Sequence, residues 1–107
     1  MNKYERAIAE LNQGNEATFK VFGNSMTPKI KSKSVLTFKQ TNDYQVGDAV
    51  FCRVKGNPID AHLITQIDGK GRYLISNNHG HDNGWTKTIY GRVIKVNGKK
   101  YGRKYEK

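Results

Sequence analysis

The sequence is poor in cysteine, proline, acidic residues and long apolar segments. Its one cysteine, Cys52, has no partner within the chain for a disulfide bond, so the fold must depend on an apolar core. Cys52 also lies in the apolar segment 49–54, which is typical of a small buried side chain. No apolar run is long enough for a secretory signal or a membrane-spanning helix. These absences predict a cytoplasmic protein with a single domain, residues 1–107.

Acidic residues are outnumbered, with 9 Asp and Glu against 19 Lys and Arg, for a net charge of +10. Such an excess predicts a polyanionic partner, either nucleic acid or an acidic protein, because bound cations release counterions from phosphates. A high net charge also keeps a protein soluble without any such partner, so composition leaves both interpretations open.

The C-terminal segment concentrates basic residues between tyrosines. The residues predicted to contact nucleic acid are Lys99, Lys100, Arg103 and Lys104. Cations on phosphates with aromatic rings on bases are typical of nucleic-acid binding. Lysines on an edge hairpin also prevent unwanted strand pairing, and the sequence does not decide between the two roles.

Hydrophobic periodicity changes near Gly14 from helical to strand-like. Residues 3–13 place apolar side chains on one helical face, which predicts an N-terminal helix within residues 1–14. Short strand-like segments follow, separated by Gly, Asn and Asp: 17–23, 34–40, 48–56, 61–69, 72–78 and 90–96. The pair Asn97-Gly98 predicts a tight turn in a basic C-terminal hairpin of residues 95–107. The sequence thus predicts a mostly β fold, a compact bent sheet or barrel with a short N-terminal helix.

Two residues are candidates for a catalytic role. Ser25, in the segment "GNSMTP", follows a predicted strand and precedes Pro28, which stiffens the bend. Most serines in turns only bond the local backbone, but a rigidly held hydroxyl can also be a nucleophile. His62, in a later strand, is either a hydrogen-bonded structural histidine or a general base.

An ordered set of motifs resembles the superfamily of type I signal peptidases and self-cleaving SOS-response repressors. The set comprises Ser25-Met26 with Pro28, then Gly47-Asp48, "AHLI" with His62, and Gly91-Arg92, within residues 19–96. The resemblance implies that Ser25 is the nucleophile and His62 the general base, as in the histidine-using archaeal and endoplasmic-reticulum branch.

The resemblance also implies a third catalytic member that orients the histidine. Asn78 stands where an aspartate is expected, and Asp82 is the nearest carboxylate, so both are candidates. Asn24 and Met26, which flank the nucleophile, are expected to bind substrate. The usual Gly-Asp after the nucleophile motif is replaced by Lys33-Ser34.

The segment "NNHGHDNG" has two interpretations. His79, His81 and Asp82 could hold a metal ion with His62, but a solvated loop explains the segment better, and we expect neither metal nor cofactor. The resemblance implies a small serine peptidase of the kind carried by phages and mobile elements, which cleaves an extended peptide. The alternative is an inactive peptidase-fold module that binds nucleic acid or a host protein.

Overall fold

The fold is one antiparallel β-sheet with a helix packed against it. The computed structural model describes residues 2–102, which form one helix and eight strands. In chain order these are α1 (Lys3–Asn12), β1 (Ala17–Lys20), β2 (Val35–Lys39), β3 (Ala49–Val54), β4 (Asn57–Ile67), β5 (Tyr73–Ser76), β6 (Asp82–Thr86), β7 (Ile89–Val96) and β8 (Lys99–Lys100). The predicted mostly β fold with a short N-terminal helix is confirmed.

The strands follow the order β1-β2-β7-β3-β4-β5-β6, and β8 pairs with β7. All of these pairings are antiparallel. Strands β1 and β6 end the order without meeting, so within residues 2–102 the sheet is open and the barrel alternative is not realised. Register shifts at several pairings mark bulges, which bend a sheet and raise its twist.

Helix α1 is delimited by local hydrogen bonds that the sequence encodes. The Asn2 side chain accepts from the Glu5 N–H at 2.9 Å and caps the N-terminus. Gly14 has φ +84°, and the N–H groups of Gly14 and Asn15 donate to the carbonyls of Leu11 and Glu10. These two bonds form a Schellman motif, which ends the helix near the predicted position.

Strand β3 is the centre of the molecule because both of its faces are buried. Ala49 and Phe51 belong to a core that includes α1, whereas Val50, Cys52 and Val54 belong to a second core with Ile64 and Ile75. This explains why the strand has an apolar run rather than alternating polar residues.

Within the described residues, a tight turn joins the last two strands. Asn97 and Gly98 have φ of +51° and +81°, and they join β7 to β8. Positive φ at both turn residues is the property for which Asn-Gly is favoured. Lys99 and Lys100 are exposed on β8, while the predicted contact residues Arg103 and Lys104 lie outside the described residues.

The interpretation of residues 77–84 as a solvated loop was partly wrong. The last three of these residues, Asp82–Gly84, begin strand β6, which pairs with β5. Asp, Asn and Gly have low strand propensity, so the segment looks irregular in isolation, and the pairing with β5 overrides that preference. Among residues 2–102, no helix has the length and apolar character needed to cross a membrane.

Candidate active site

Ser25 lies on a tight loop that follows β1. The loop is closed by hydrogen bonds from the Thr27 N–H to the Asn24 carbonyl and from the Ile30 N–H to the Met26 carbonyl. Met26 and Ile30 are 4% and 3% exposed, so their side chains anchor the loop in the core. Ser25 itself is half-buried. A hydroxyl is thus held in a fixed position at the surface.

His62 faces Ser25 from the middle of β4. The Ser25 Oγ and His62 Nε2 atoms are 2.9 Å apart, within hydrogen-bond distance. His62 is opposite Val50 of β3 in the sheet, which fixes its backbone. The expected proximity of these two side chains is therefore present in the structure.

Asn83 completes a hydrogen-bonded chain of three side chains. Its Oδ1 lies 2.6 Å from His62 Nδ1. Because an amide oxygen only accepts, the proton of a neutral imidazole stands on Nδ1 and the lone pair of Nε2 points at Ser25. This is the tautomer that a general base needs.

A β-bulge places Asn83 beside His62. Ser76 of β5 is opposite Asp82, and the preceding Ile75 is opposite Gly84, so Asn83 is the extra residue of β6. Bulges near active sites re-aim single side chains in this way. Asn83 was not among the residues predicted from the sequence, because only the strand register shows which side chain of "HDN" faces the histidine.

The two residues predicted as third member contact other groups. The Asp82 carboxylate accepts from Ser76 Oγ at 2.7 Å, and Ser76 Oγ is 2.8 Å from Thr65 Oγ1. The Asn78 N–H donates to the Ser25 carbonyl at 2.8 Å, and Asn78 Nδ2 donates to the Thr27 carbonyl at 2.9 Å. Asp82 therefore fixes the β5–β6 connection, and Asn78 fixes the serine loop.

The remaining histidines do not gather around His62. His79 Nε2 lies 3.0 Å from the Asn24 carbonyl and 3.3 Å from Thr27 Oγ1. The His81 N–H donates to Asn77 Oδ1. Within residues 2–102, no three His, Cys, Asp or Glu side chains form a group that could hold a metal ion.

A cleft of about 190 Å³ opens beside the serine and histidine. One wall is formed by seven residues of the segment 21–31, and the other by residues 58–62 of β4. Met26 lines this cleft, whereas Asn24, also expected to bind substrate, is exposed and is not among the described lining residues. The lining mixes apolar and polar side chains, with Lys31 and Asp60 as its charged members.

Part of β4 presents a strand edge to this cleft. Strand β4 pairs with β3 over Asn57–Leu63 but with β5 only from Leu63 onward. Within the described chain, residues 57–62 therefore have a strand neighbour on one side only. A half-paired strand is the usual template for adding an extended peptide.

The backbone N–H of Ser25 is a candidate donor at the nucleophile. No hydrogen bond among residues 2–102 uses the Ser25 N–H. A backbone N–H at the nucleophile is a common donor to the oxyanion of acyl transfer.

Burial also shapes the acid–base chemistry near the cleft. It raises the pKa of the Tyr4 hydroxyl to about 12, with further contributions from a hydrogen bond to Asp60 and the charge of that carboxylate. Tyr4 of α1 is therefore a neutral hydroxyl at pH 7 and bonds the acidic group of the cleft wall.

The structure thus combines an open antiparallel sheet with a Ser25–His62 contact beside a cleft. The family model described as Peptidase S24-like matches residues 2–96. The chain belongs to this family, in agreement with the resemblance to signal peptidases and SOS-response repressors. The comparison with curated proteins gave no match.

Proposed function

We propose that the protein is a serine peptidase with Ser25 as nucleophile, His62 as general base and Asn83 as the residue that orients His62. The observation that carries the proposal is the 2.9 Å contact between Ser25 Oγ and His62 Nε2. The family match supports a peptidase fold, and the catalytic roles are our inference from geometry.

Acylation begins when Ser25 Oγ attacks the carbonyl carbon of a peptide bond while its proton passes to His62 Nε2. The Ser25 N–H donates to the oxygen that becomes negative. His62 then returns the proton to the leaving amine as the C–N bond breaks, which leaves an ester on Ser25. A water molecule, deprotonated by His62, hydrolyses that ester and restores the hydroxyl.

The substrate is an extended peptide that pairs with residues 57–62 of β4. Main-chain hydrogen bonds from such a strand give affinity, and pockets for alternate side chains give selectivity. The apolar residues Met26 and Ile30 line the cleft next to Ser25, so uncharged side chains fit there better than charged ones.

Cleavage of a peptide library tests this proposal. The purified protein is incubated with a mixed library of unstructured peptides, and new amino termini are identified by mass spectrometry. We expect the wild type to generate new termini that are absent with Ser25→Ala. Equal cleavage by Ser25→Ala would assign the activity to a contaminant and overturn the proposal.

The second candidate is a peptidase-fold module that binds without cutting. The observation that favours it is the hydrogen bond between His62 Nδ1 and Asn83 Oδ1. A neutral amide stabilises an imidazolium less than a carboxylate does. The net charge of +10 makes nucleic acid or an acidic protein the partner of this candidate. A library left intact by a folded wild type, with tight binding of a polyanion, would favour this candidate.

A further inference from the structure

A groove outside the catalytic cleft gathers lysines on one short segment. It measures about 320 Å³, and its charged lining residues are Lys29, Lys31 and Lys33, with no acidic side chain among its described lining. Ser32 contributes to the same wall. We call this region the lysine groove.

The wall that carries these lysines is rigid. The Lys33 N–H donates to the Val21 carbonyl at 2.7 Å, and the Val21 N–H donates to the Ser34 carbonyl at 2.9 Å. Ser34 is 5% exposed, and its Oγ donates to the Lys31 carbonyl at 2.6 Å. With Ile30 buried beneath, the segment presents its lysines from a fixed backbone.

The positive charge of the groove is not neutralised within the described chain. Within residues 2–102, none of its three lysines takes part in the described ion pair, which joins Arg72 to Asp68. Lys33 moreover has φ +70°, a conformation that suits glycine better than lysine.

The opposite wall of the groove is the turn of the C-terminal hairpin. Val96 and Asn97 line it, and Asn97 is fixed to Val35 by two hydrogen bonds of 2.7 and 2.8 Å. Strand β8, with exposed Lys99 and Lys100, follows that turn directly. The turn that precedes β8 thus lines the same groove as Lys29, Lys31 and Lys33.

We propose that the lysine groove binds the phosphate backbone of a nucleic acid, without reading its bases. This inference does not depend on the peptidase proposal. Several unpaired cations on a rigid surface suit a chain of phosphates, because each contact releases condensed counterions. Lys31 also lines the catalytic cleft, so a bound strand would lie beside Ser25.

The test compares two triple variants that remove the same charge from different surfaces. The groove variant is Lys29→Ala, Lys31→Ala, Lys33→Gly. The control variant is Lys55→Gly, Lys70→Ala, Lys87→Ala, whose lysines are all exposed in turns away from the groove. Each variant replaces one lysine of positive φ, Lys33 or Lys55, by glycine, so the backbone effects are matched as well.

Binding of a fluorescent DNA oligonucleotide is followed by anisotropy at several NaCl concentrations. We expect the groove variant to bind about tenfold or more weakly near 0.1 M salt, with the slope of log K against log salt reduced by about 2 to 3. The control variant is expected to stay within about threefold of wild type, since its lysines contribute only general attraction. Melting curves of all three proteins show whether each variant is folded.

Equal losses in the two variants would overturn the proposal, because they would mean that net charge alone attracts DNA. Absence of wild-type binding at 50 mM salt would overturn it as well. A poly-glutamate peptide of matched charge serves as the second ligand. If the groove variant loses affinity for this peptide while DNA binding is unchanged, the site belongs to an acidic protein and not to nucleic acid.

Discussion

At the scale of single residues, the main feature is an amide where a serine peptidase often has a carboxylate. Asn83 Oδ1 accepts from His62 Nδ1 and so selects the tautomer that faces Ser25. An amide orients the ring and adds no negative charge. In the proposed peptidase, Asn83 therefore has a positioning role, while Ser25 and His62 touch the reacting atoms.

Asn83→Ala should slow reaction of Ser25 by about 10²-fold, because the ring loses its fixed orientation. Asn83→Asp should retain or raise the rate, since a carboxylate keeps the hydrogen bond and stabilises the imidazolium. The rate of Ser25 modification by a fluorophosphonate near pH 7 measures both effects. A wild-type rate in Asn83→Ala would show that the contact has no catalytic consequence.

Cys52 gives a prediction on reactivity and pH. Burial raises the pKa of its thiol to about 12. We expect no reaction with a thiol reagent at pH 8 in the folded protein, and one reactive thiol after denaturation. The pKa of the thiol is higher in the folded than in the unfolded protein. Its contribution to the free energy of unfolding is therefore fully present below pH 9 and is lost as the pH rises toward 12. Rapid labelling of the native protein at pH 8 would contradict this account.

At the scale of elements, two connections hold the site together. The serine loop is anchored by buried Met26 and Ile30. The β5–β6 connection holds the loop from the other side. Asn78 donates hydrogen bonds to the carbonyls of Ser25 and Thr27. His79 Nε2 lies within hydrogen-bond distance of the Asn24 carbonyl. The bulge in β6 then places Asn83 on His62. Ser25 and His62 are thus fixed by elements that pair independently of the cleft.

Glycine substitutions at Lys33 and Lys31 test whether the backbone of the lysine groove is strained at Lys33. Both are exposed lysines on the same segment, but only Lys33 has a positive φ, of +70°. Lys33→Gly should raise the free energy of unfolding by up to about 1 kcal/mol because it relieves the strain. Lys31→Gly should lower it by about 0.5–1 kcal/mol because glycine loses more entropy on folding. Denaturant melts measure both, and equal destabilisation of the two variants would show that Lys33 is unstrained.

Features with a local physical signal were predictable from the sequence. Helix α1 ends near Gly14 because the helix terminus has a residue with positive φ, which glycine adopts readily. The turn at Asn97-Gly98 also has positive φ at both residues, and this favours the hairpin. The serine and histidine were selected by their place in an ordered set of motifs. Strand β6 and Asn83 were missed because Asp, Asn and Gly have low strand propensity and because the bulge that aims Asn83 depends on the register with β5. A one-residue change of register moves a side chain to the other face of a sheet, and sequence patterns do not show it.

At the scale of the whole molecule, an open sheet carries a large positive charge. The charge of +10 is distributed over a small domain, so folding brings like charges together. Added salt screens this repulsion over the distances between surface charges. Raising NaCl from about 20 to 500 mM should therefore raise the melting temperature by a few degrees, a change on the order of 1 kcal/mol. A melting temperature that falls with NaCl would show that attractive pairs dominate the surface.

The central claim is that Ser25 is a nucleophile activated by His62. Intact-mass analysis after incubation with a fluorophosphonate tests it most directly, with wild type, Ser25→Ala, His62→Ala and, as a matched control, Ser32→Ala. Ser32 is a nearby loop serine whose Oγ accepts from the Gly23 N–H. We predict a single adduct on Ser25 in the wild type and in Ser32→Ala, no adduct in Ser25→Ala, and labelling slower by about 10²-fold or more in His62→Ala. A folded wild type that gains no adduct, or His62→Ala labelled as fast as wild type, would contradict the account.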